Sequence, residues 1–422
     1  MDRRSLLTGL ALLPVFGGCG DVSAPSVPNG SWFGASPQSG HRMRDERRPA
    51  LPTQDALSTN VLVVGGGIGG LSAAWWLRVH GIDDVLICEL ESETGGNSRS
   101  AGNTYSCFPL GAHYLPLPTQ ESRTLRTLLA ELGAIEGDPY AARPRYAEAL
   151  LCAAPQERLF RFGHWQEGLV PEVGLTEGER QQIQGFFSKM SSFRGQRATG
   201  KAFSLPMALG ERSPEVMALD QLSFAEWLSR EGFDCAPLRW YTDYACRDDF
   251  GAGADEVSAW AGVHYFASRD GEAEGAANDV VLTTPGGNGW IAEGLAGLIG
   301  DQVKTNTAVR HLRETRAGYE ALMEDATTGA TRIVRARAVV WAAPLFLAAR
   351  LIDDLPDVAR RYARAIDYAP WVMAQLSVAR SPREAPGAPR AWDNVVYGSR
   401  SLGFVVASHQ TLSAAEAPSV WT

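Results

Sequence analysis

Three glycines and an acidic residue stand at the spacing of a nucleotide-binding turn in this 422-residue chain. Gly65, Gly67 and Gly70 form the pattern G-x-G-x-x-G, and Glu89 follows about 20 residues after them. The first glycine of such a turn allows a tight bend, the second lets a pyrophosphate approach the backbone, and the third lets a helix pack closely on a strand. A carboxylate at Glu89 suits ribose hydroxyls and repels a 2′-phosphate. The spacing therefore predicts a site for FAD or NAD rather than NADP.

The residues around the glycines predict the elements that hold this site. An apolar run at residues 61–64 predicts a buried strand, and a helix of small residues follows the turn. We expect the first amides of that helix, at Ile68 and Gly69, to face the phosphates.

A second apolar run predicts the strand that carries the acidic residue. The strand covers residues 84–88 and places Glu89 at its carboxyl end. Leu90 is predicted to lie in the same site. Glu91 and Glu93 remain alternative ribose ligands, because each stands within a few residues of the strand end.

A second glycine pair distinguishes between the two cofactors. Glu89 is followed six positions later by Gly95 and Gly96, and then by Asn97-Ser98-Arg99-Ser100. This segment resembles the E-x5-G-G-R-x-x-S/T segment of the superfamily of FAD-containing amine oxidases, protoporphyrinogen oxidases and phytoene desaturases. The resemblance implies FAD, with the second glycine pair also touching the cofactor. In the family an arginine that helps to neutralise the FAD phosphates usually stands at the position of Asn97, so Arg99 is either its replacement or a solvated loop residue.

The segment 108–116 resembles the stretch of the family that passes beside the flavin ring. The resemblance makes His113 a candidate for contact with the flavin or the substrate, and the one catalytic candidate that the sequence offers. The alternative is a histidine that is hydrogen-bonded within packed loops.

Three later segments resemble family segments in the same order. The glycine-rich stretch 285–289 precedes an amphipathic helix, as the P-x-G-G stretch of the family does. The strand over 302–309 resembles the one whose valine backbone contacts adenine, which implies that role for Val309. The stretch 338–344 matches the V-V-x-A-x-P strand end that lies close to FAD, which implies cofactor contacts at Ala342 and Pro344.

Local patterns predict further elements. Ser223 and Glu226 form a capping box at the start of a helix, and residues 320–334 form a hairpin that turns at 325–329. Residues 401–408 are predicted to form one strand. An aromatic stretch from Trp240 to Phe266 surrounds acidic residues and is either core or substrate lining.

The segments together predict an α/β fold: a Rossmann-like FAD-binding domain with an inserted, helix-rich α+β substrate domain of the amine oxidase type. The second part of the substrate domain is expected to be incomplete. The predicted boundaries are a signal peptide at 1–19, a linker at 20–58, the FAD-binding domain at 59–144 and 279–345, and the substrate domain at 145–278 and 346–422.

The N-terminus resembles a twin-arginine export signal. Arg3 and Arg4 precede an apolar run at 6–16, which is too short for the about 20 residues that a membrane span needs. The resemblance implies export to the periplasm or cell envelope, and a lipidated Cys19 would add a membrane tether. The basic run at 41–48 is expected to be a solvated tether.

Composition narrows the classes of partner. The net charge is −9 and the charges are dispersed, so nothing predicts nucleic-acid binding. The six cysteines show no C-x-x-C pair and no metal-ligand spacing against the seven histidines, so no metal site is expected.

The resemblance implies an FAD-dependent oxidoreductase that abstracts a hydride from an amine or related small molecule and passes electrons to an unknown acceptor. Two departures keep alternatives open. Many amine oxidases place a lysine near the flavin late in the chain, yet the last lysine here is Lys304. The family also ends with a glycine-bearing segment that leads into a helix beside the flavin, yet the last glycine here is Gly403. The C-terminal FAD contact is therefore expected to be absent. The alternatives are a membrane-associated desaturase or oxidase of a lipid or isoprenoid, and a truncated or degenerate flavin-binding protein without catalysis.

Overall fold

The computed structural model describes residues 30–52, 56–197, 200–277, 279–411 and 418–422. The chain divides into a short unit, Met1–Gly34, and a large unit, Ala35–Thr422, to which the elements below belong. The export signal and Cys19 lie outside the described residues and stay predictions. Among the helices of the described part, none is long and apolar enough to cross a membrane.

Helices are concentrated in the middle of the chain. They are α1 (Pro37–Asp45), α2 (Ile68–Val79), α3 (Arg123–Glu131), α4 (Glu177–Arg194), α5 (Pro214–Met217), α6 (Phe224–Arg230), α7 (Ala236–Phe250), α8 (Ala259–Ala267), α9 (Gly289–Ile299), α10 (Leu345–Leu351) and α11 (Asp357–Ala365).

Strands fall into one large sheet and several small ones. They are β1 (Ala56–Val64), β2 (Val85–Cys88), β3 (Ser100–Gly102), β4 (Cys107–Pro109), β5 (Leu115–Pro116), β6 (Ile135–Glu136), β7 (Arg145–Tyr146), β8 (Glu157–Arg161), β9 (His164–Glu167), β10 (Gln196–Arg197), β11 (Gly200–Lys201), β12 (Val281–Leu282), β13 (Val303–Lys304), β14 (Thr307–Thr315), β15 (Gly318–Asp325), β16 (Thr331–Trp341), β17 (Leu376–Val378), β18 (Asp393–Val396), β19 (Phe404–Val405) and β20 (Ser419–Trp421).

The large sheet has the strand order β13-β2-β1-β16-β15-β14. Its centre is parallel, because β1 pairs in parallel with β2 and β16, whereas β15 pairs antiparallel with β14 and β16. Side chains alternate across a strand, so Val61 and Val63 pack on one face while Leu62 and Val64 pack on the other. Both faces are covered, which explains why the whole run is apolar. This mixed sheet, which is parallel at its centre, confirms the predicted α/β fold class.

Two helices cover the face of the sheet nearest the glycine turn. Leu71 and Trp75 of α2 pack with Ile291 and Leu295 of α9 against Val63. The small residues at the start of α2 let it lie close to the sheet, and this packing fixes the direction in which its N-terminus points.

The helix-rich middle of the chain has its own core. Residues of α4, α6 and α8 meet around Phe186, Phe224 and Val263, which are completely buried. The capping box is confirmed in both directions: the Ser223 hydroxyl accepts from the Glu226 amide at 3.1 Å, and the Glu226 carboxylate accepts from the Ser223 amide at 2.9 Å. A small sheet in the order β19-β18-β8-β9 packs against Tyr244 of α7.

Several local expectations need correction or refinement. The hairpin at 320–334 is present as β15 and β16, but of the predicted strand 401–408 only residues 404–405 form a strand, and Val406 adds an isolated bridge to Trp421. Gly403, at φ +105°, bends the chain before them, and a 3₁₀ turn follows at 407–410. The predicted strand 302–309 is interrupted at Asn306, where φ is +49°.

The segment before β1 is folded. Within the stretch predicted as a linker, α1 begins at Pro37, and the Ser36 hydroxyl caps it by accepting from the Ser39 amide at 3.1 Å. The basic run is therefore not a solvated tether. It forms ion pairs with the rest of the fold: Arg42 with Glu324 at 2.7 Å, Glu46 with Arg310 at 2.9 Å and Arg48 with Asp353 at 2.6 Å.

Candidate functional site

Two glycines of the first turn are required by the fold itself. Gly65 has φ +104°, and a Cβ there would lie 2.9 Å from the carbonyl oxygen of Ala342. A Cβ on Gly70 would collide with the carbonyl oxygen of Gly65. The turn therefore packs directly on the end of β16, where the Ala342 amide donates to the Val64 carbonyl at 2.9 Å.

The middle glycine faces open space instead. Gly67 has an ordinary φ of −70°, and the nearest atom to a Cβ there would be the Gly96 Cα at 3.9 Å. Ile68 and Gly69 are exposed. The first helical bond of α2 runs from the Leu71 amide to the Gly67 carbonyl at 3.0 Å, and no side chain caps the helix. The amides before Leu71 are therefore directed, with the positive end of the helix dipole, at a cradle suited to an anion.

Glu89 is tied to the glycine turn by both carboxylate oxygens. Its Oε2 accepts from the Gly66 amide at 2.7 Å, and its Oε1 accepts from the Glu91 amide at 2.8 Å. Burial raises the pKa of Glu89, against the opposing effect of these two amides and of the nearby charge of Arg99. The second lone pair of each oxygen is free to accept from ribose hydroxyls.

The other acidic residues of this segment are less suitable as ribose ligands. The Glu91 carboxylate accepts from the Ser36 amide at 3.0 Å, which turns it toward α1, and Glu93 is exposed. Leu90 packs its side chain against the buried Met43 and Ala308, so only its backbone is available to a cofactor.

The second glycine pair lies against the first turn. Gly95 forms a bridge with Gly67, and its amide donates to the Gly66 carbonyl at 2.8 Å. Gly95 and Gly96 both have positive φ, and a Cβ on Gly96 would lie 3.3 Å from the Gly67 Cα. The two glycine turns are thus in direct contact and form adjoining walls of one cradle.

Asn97 and Arg99 differ in burial. Asn97 is exposed, and its carbonyl accepts from the Ala112 amide at 2.8 Å. Arg99 is 9% exposed, and its buried Nε has no hydrogen-bond partner among the described residues. Its Cγ lies 3.0 Å from the position of a Cβ on Gly95. A buried Nε–H without a partner, on an arginine that packs against the second glycine pair, fits a phosphate group.

The remaining cofactor candidates approach the same region through the backbone. Val309 is 3% exposed and packs with Val64 and Cys88, so its side chain belongs to the core. The chain before it binds the acidic segment, since the Thr307 amide donates to the Glu89 carbonyl at 2.7 Å. Pro344 is exposed at the start of α10, two residues after the contact of Ala342 with the turn.

His113 lies in a loop with aromatic neighbours. Its ring centre is 5.2 Å from that of Tyr114 and 5.5 Å from that of Trp392. Its Nδ1 is 3.4 Å from the Gly111 carbonyl oxygen, and its own carbonyl accepts from the Thr283 hydroxyl at 2.7 Å. Burial lowers the pKa of His113, so the ring is neutral near pH 7. A neutral histidine ring among aromatic side chains suits contact with another ring or with a substrate, and it does not supply a positive charge.

A group of carboxylates beside this loop was not predicted as a site. Glu157 and Asp393 are register partners on the parallel strands β8 and β18, and the charges of Glu157 and Asp248 act on Asp393. Burial, followed by the charge of Asp279, raises the pKa of Glu157 to about 7. Burial, followed by the charge of Asp249, raises that of Asp248 to about 6. Glu157, Asp248 and Asp393 are called the carboxylate cluster below.

Arg269 lies beside the carboxylate cluster and holds Tyr114. One guanidinium nitrogen donates to the Tyr114 hydroxyl at 3.1 Å, and another donates to Asp249 at 2.5 Å. Its charge lowers the pKa of Glu157, but its ion pair is with Asp249. The guanidinium carbon also lies 3.9 Å from the ring centre of Tyr265. Sequence reasoning identified the aromatic stretch, but not the strand pairing that brings Glu157 to Asp393.

Comparisons with known proteins identify the family of the chain. The model of the family described as flavin containing amine oxidoreductases matches residues 68–410. A protein named as a flavin-containing monoamine oxidase, AofH, of Mycobacterium tuberculosis is 26% identical over 273 residues. That match covers 63% of this chain and 54% of the relative, so the chain spans about half the length of the curated relatives it matches.

Solved structures share the fold at low sequence identity. Putrescine oxidase bound to putrescine superposes with a TM-score of 0.61 at 18% identity, over 87% of this chain and 75% of that one. Cyclohexylamine oxidase from Brevibacterium oxydans gives a TM-score of 0.51 at 19% identity, over 72% and 63%. A fatty acid isomerase from P. acnes gives 0.51 at 16% identity, over the same shares of the two chains.

Proposed function

Because the chain belongs to the family of flavin-containing amine oxidoreductases, we propose that it is an oxidoreductase that removes a hydride from an amine. The cofactor is FAD. Bound FAD supplies the hydride acceptor, and the protein supplies placement, exclusion of water and control of protons. The observation that carries the proposal is the cradle formed by the two adjoining glycine turns, with Arg99, whose buried Nε has no partner among the described residues, packed against Gly95.

Different residues of the cradle would bind different parts of FAD. The free amides at Ile68 and Gly69 and the Arg99 guanidinium would bind the pyrophosphate. Glu89 would accept from the ribose hydroxyls, because its oxygens are already fixed by backbone amides. Gly67 would leave room for the phosphates, because no atom lies within 3.9 Å of the position that a Cβ would occupy.

The carboxylate cluster favours a cationic substrate over a neutral lipid. An ammonium group near Glu157, Asp248 and Asp393 would relieve the repulsion among them, whereas an uncharged chain would leave it in place. An amine must also lose its proton before it can donate a hydride. A carboxylate with a pKa of about 7 accepts that proton near neutral pH, so we assign Glu157 as the proton acceptor for the bound ammonium.

Anaerobic mixing of the purified protein with amines tests this function without knowledge of the electron acceptor. We expect bound flavin to absorb at about 375 and about 450 nm and the longer-wavelength band to bleach on addition of a primary amine or diamine. An unsaturated fatty acid should leave the band unchanged. Bleaching by the fatty acid and by no amine would favour the lipid alternative. A stable flavin spectrum with every compound would favour a binding protein without catalysis.

Replacing Glu89 with alanine is expected to weaken FAD binding by about 1–3 kcal/mol. The variant loses the ribose acceptor and leaves the Gly66 amide without its partner. Titration of the apoprotein with FAD, followed by flavin fluorescence, measures the change. The matched control is Glu91→Ala, which removes a carboxylate of the same segment that binds the Ser36 amide instead. If Glu91→Ala weakened FAD and Glu89→Ala did not, Glu91 would be the ribose ligand.

A further inference from the structure

Asn288 joins the glycine-rich stretch 285–289 to the loop of His113. It lies at the N-terminal cap of α9 and is 8% exposed. Its backbone amide donates to the Ala112 carbonyl at 3.1 Å, and its side-chain Nδ2 donates to the Tyr114 carbonyl at 2.7 Å. The backbone amide and one side-chain N–H of Asn288 thus hold this loop.

The side-chain oxygen of Asn288 takes no part in these hydrogen bonds. Asn288 Oδ1 is buried and has no hydrogen-bond partner among the described residues. The orientation of the amide is fixed, because the Tyr114 carbonyl accepts only and so requires the nitrogen. An asparagine at a helix cap usually accepts from an amide of the first turn, but this one makes no such bond. A buried acceptor without a donor is unfavourable, which points to a donor supplied by a ligand.

The glycines on either side of Asn288 place it in the cofactor region. A Cβ on Gly289 would overlap the hydroxyl of Ser100, the residue after Arg99. A Cβ on Gly287, at φ +64°, would lie 2.8 Å from the His113 Cα. Asn288 therefore lies between the segment that follows the glycine pair and the loop that holds His113.

We propose that Asn288 is a cofactor-binding residue whose Oδ1 accepts a hydrogen bond from a hydroxyl or ring N–H of the flavin half of FAD. The inference rests on the proposed function, since it takes FAD as the ligand. The same side chain then holds the Tyr114 carbonyl through Nδ2, so it links the position of the flavin to that of Tyr114. The phosphates and adenosine are bound elsewhere, by the cradle and Glu89.

Binding of FAD and of ADP to the apoprotein separates the two halves of the cofactor. For Asn288→Leu, which keeps the volume and removes the acceptor, we expect FAD to bind about tenfold more weakly and ADP to bind as in the wild type. Calorimetry gives both affinities, and the absorption spectrum of the bound flavin should shift as well. Asn288→Ser, which retains a good capping residue, serves if the leucine variant does not fold.

Thr283→Val is the structural control. It removes the hydrogen bond from the Thr283 hydroxyl to the His113 carbonyl, so it loosens the same loop without touching the free acceptor. Wild-type affinity for FAD in Asn288→Leu, or an equal loss with Thr283→Val, would overturn the inference. Equal weakening of ADP and FAD would also overturn it. If the wild-type apoprotein bound neither compound, the proposed function itself would fail, and this inference with it.

Discussion

Replacing Gly67 with valine is expected to abolish FAD binding while the apoprotein stays folded. The backbone at Gly67 is one that any residue can adopt, and a Cβ there would meet nothing closer than 3.9 Å. The fold therefore tolerates the side chain, but the valine methyl groups would occupy the path of the pyrophosphate. We expect at least a hundredfold loss of FAD affinity, about 2.7 kcal/mol or more, with an unchanged melting temperature of the apoprotein.

Two other glycines serve as controls for this result. Gly178→Val places the same side chain on the exposed start of α4, where a Cβ meets nothing within 4 Å, and should leave FAD binding unchanged. Gly70→Ala should behave in the opposite way, because its Cβ would collide with the Gly65 carbonyl oxygen and destabilise the apoprotein. FAD binding by Gly67→Val at wild-type affinity would remove the cradle from the proposed cofactor site.

Replacing Glu157 with glutamine is expected to stabilise the apoprotein at pH 8 and to weaken its interaction with amines. The folded pKa of Glu157, about 7, lies above the ordinary value for a glutamate. The folded protein therefore binds this proton more tightly than the unfolded chain, and its stability falls as pH rises from about 5 to about 8. Glutamine carries no charge, so it removes the free-energy cost of ionising a buried carboxyl group. We therefore expect the free energy of unfolding to rise by about 1–3 kcal/mol at pH 8 and to change little at pH 5.

Denaturant unfolding of the apoprotein at the two pH values measures this difference. The exposed Glu256 provides a matched control, and Glu256→Gln should change stability at neither pH. On the amine side, Glu157→Gln should slow flavin bleaching most above pH 7, where the wild-type carboxylate is ionised and can accept the proton of the substrate ammonium. A variant that is no more stable at pH 8 and that bleaches like the wild type would exclude Glu157 from the substrate site.

The cradle could be predicted from the sequence because its determinants are local. Gly65, Gly67 and Gly70 act within one turn, and the strand that ends at Cys88 places Glu89 beside them by the geometry of adjacent parallel strands. The hairpin of β15 and β16 was predictable for the same reason, since its turn residues stand between two apolar runs.

The rest of the site depends on contacts that no local pattern contains. Glu157 and Asp393 become neighbours only because β8 and β18 pair in parallel across most of the chain, and neither flanking segment carries a motif. The choice between Asn97 and Arg99 depends on burial, which leaves the first exposed and the second without a partner for its Nε. The free oxygen of Asn288 follows from the direction of its amide, which is set by the Tyr114 carbonyl.

The ion pairs of α1 have a consequence for how the protein tolerates proteolysis near its N-terminus. Arg310 and Glu324 are 3% and 8% exposed, and each is paired with a residue of the segment that precedes β1. Proteolytic removal of that segment would take one ionic partner from each of Arg310 and Glu324, leaving their mutual ion pair at 3.5 Å, and would uncover the pocket that holds Met43. A proteolytic cut between Ser36 and β1 is therefore expected to lower the stability of the protein, whereas a cut before Ser36 would leave these contacts in place.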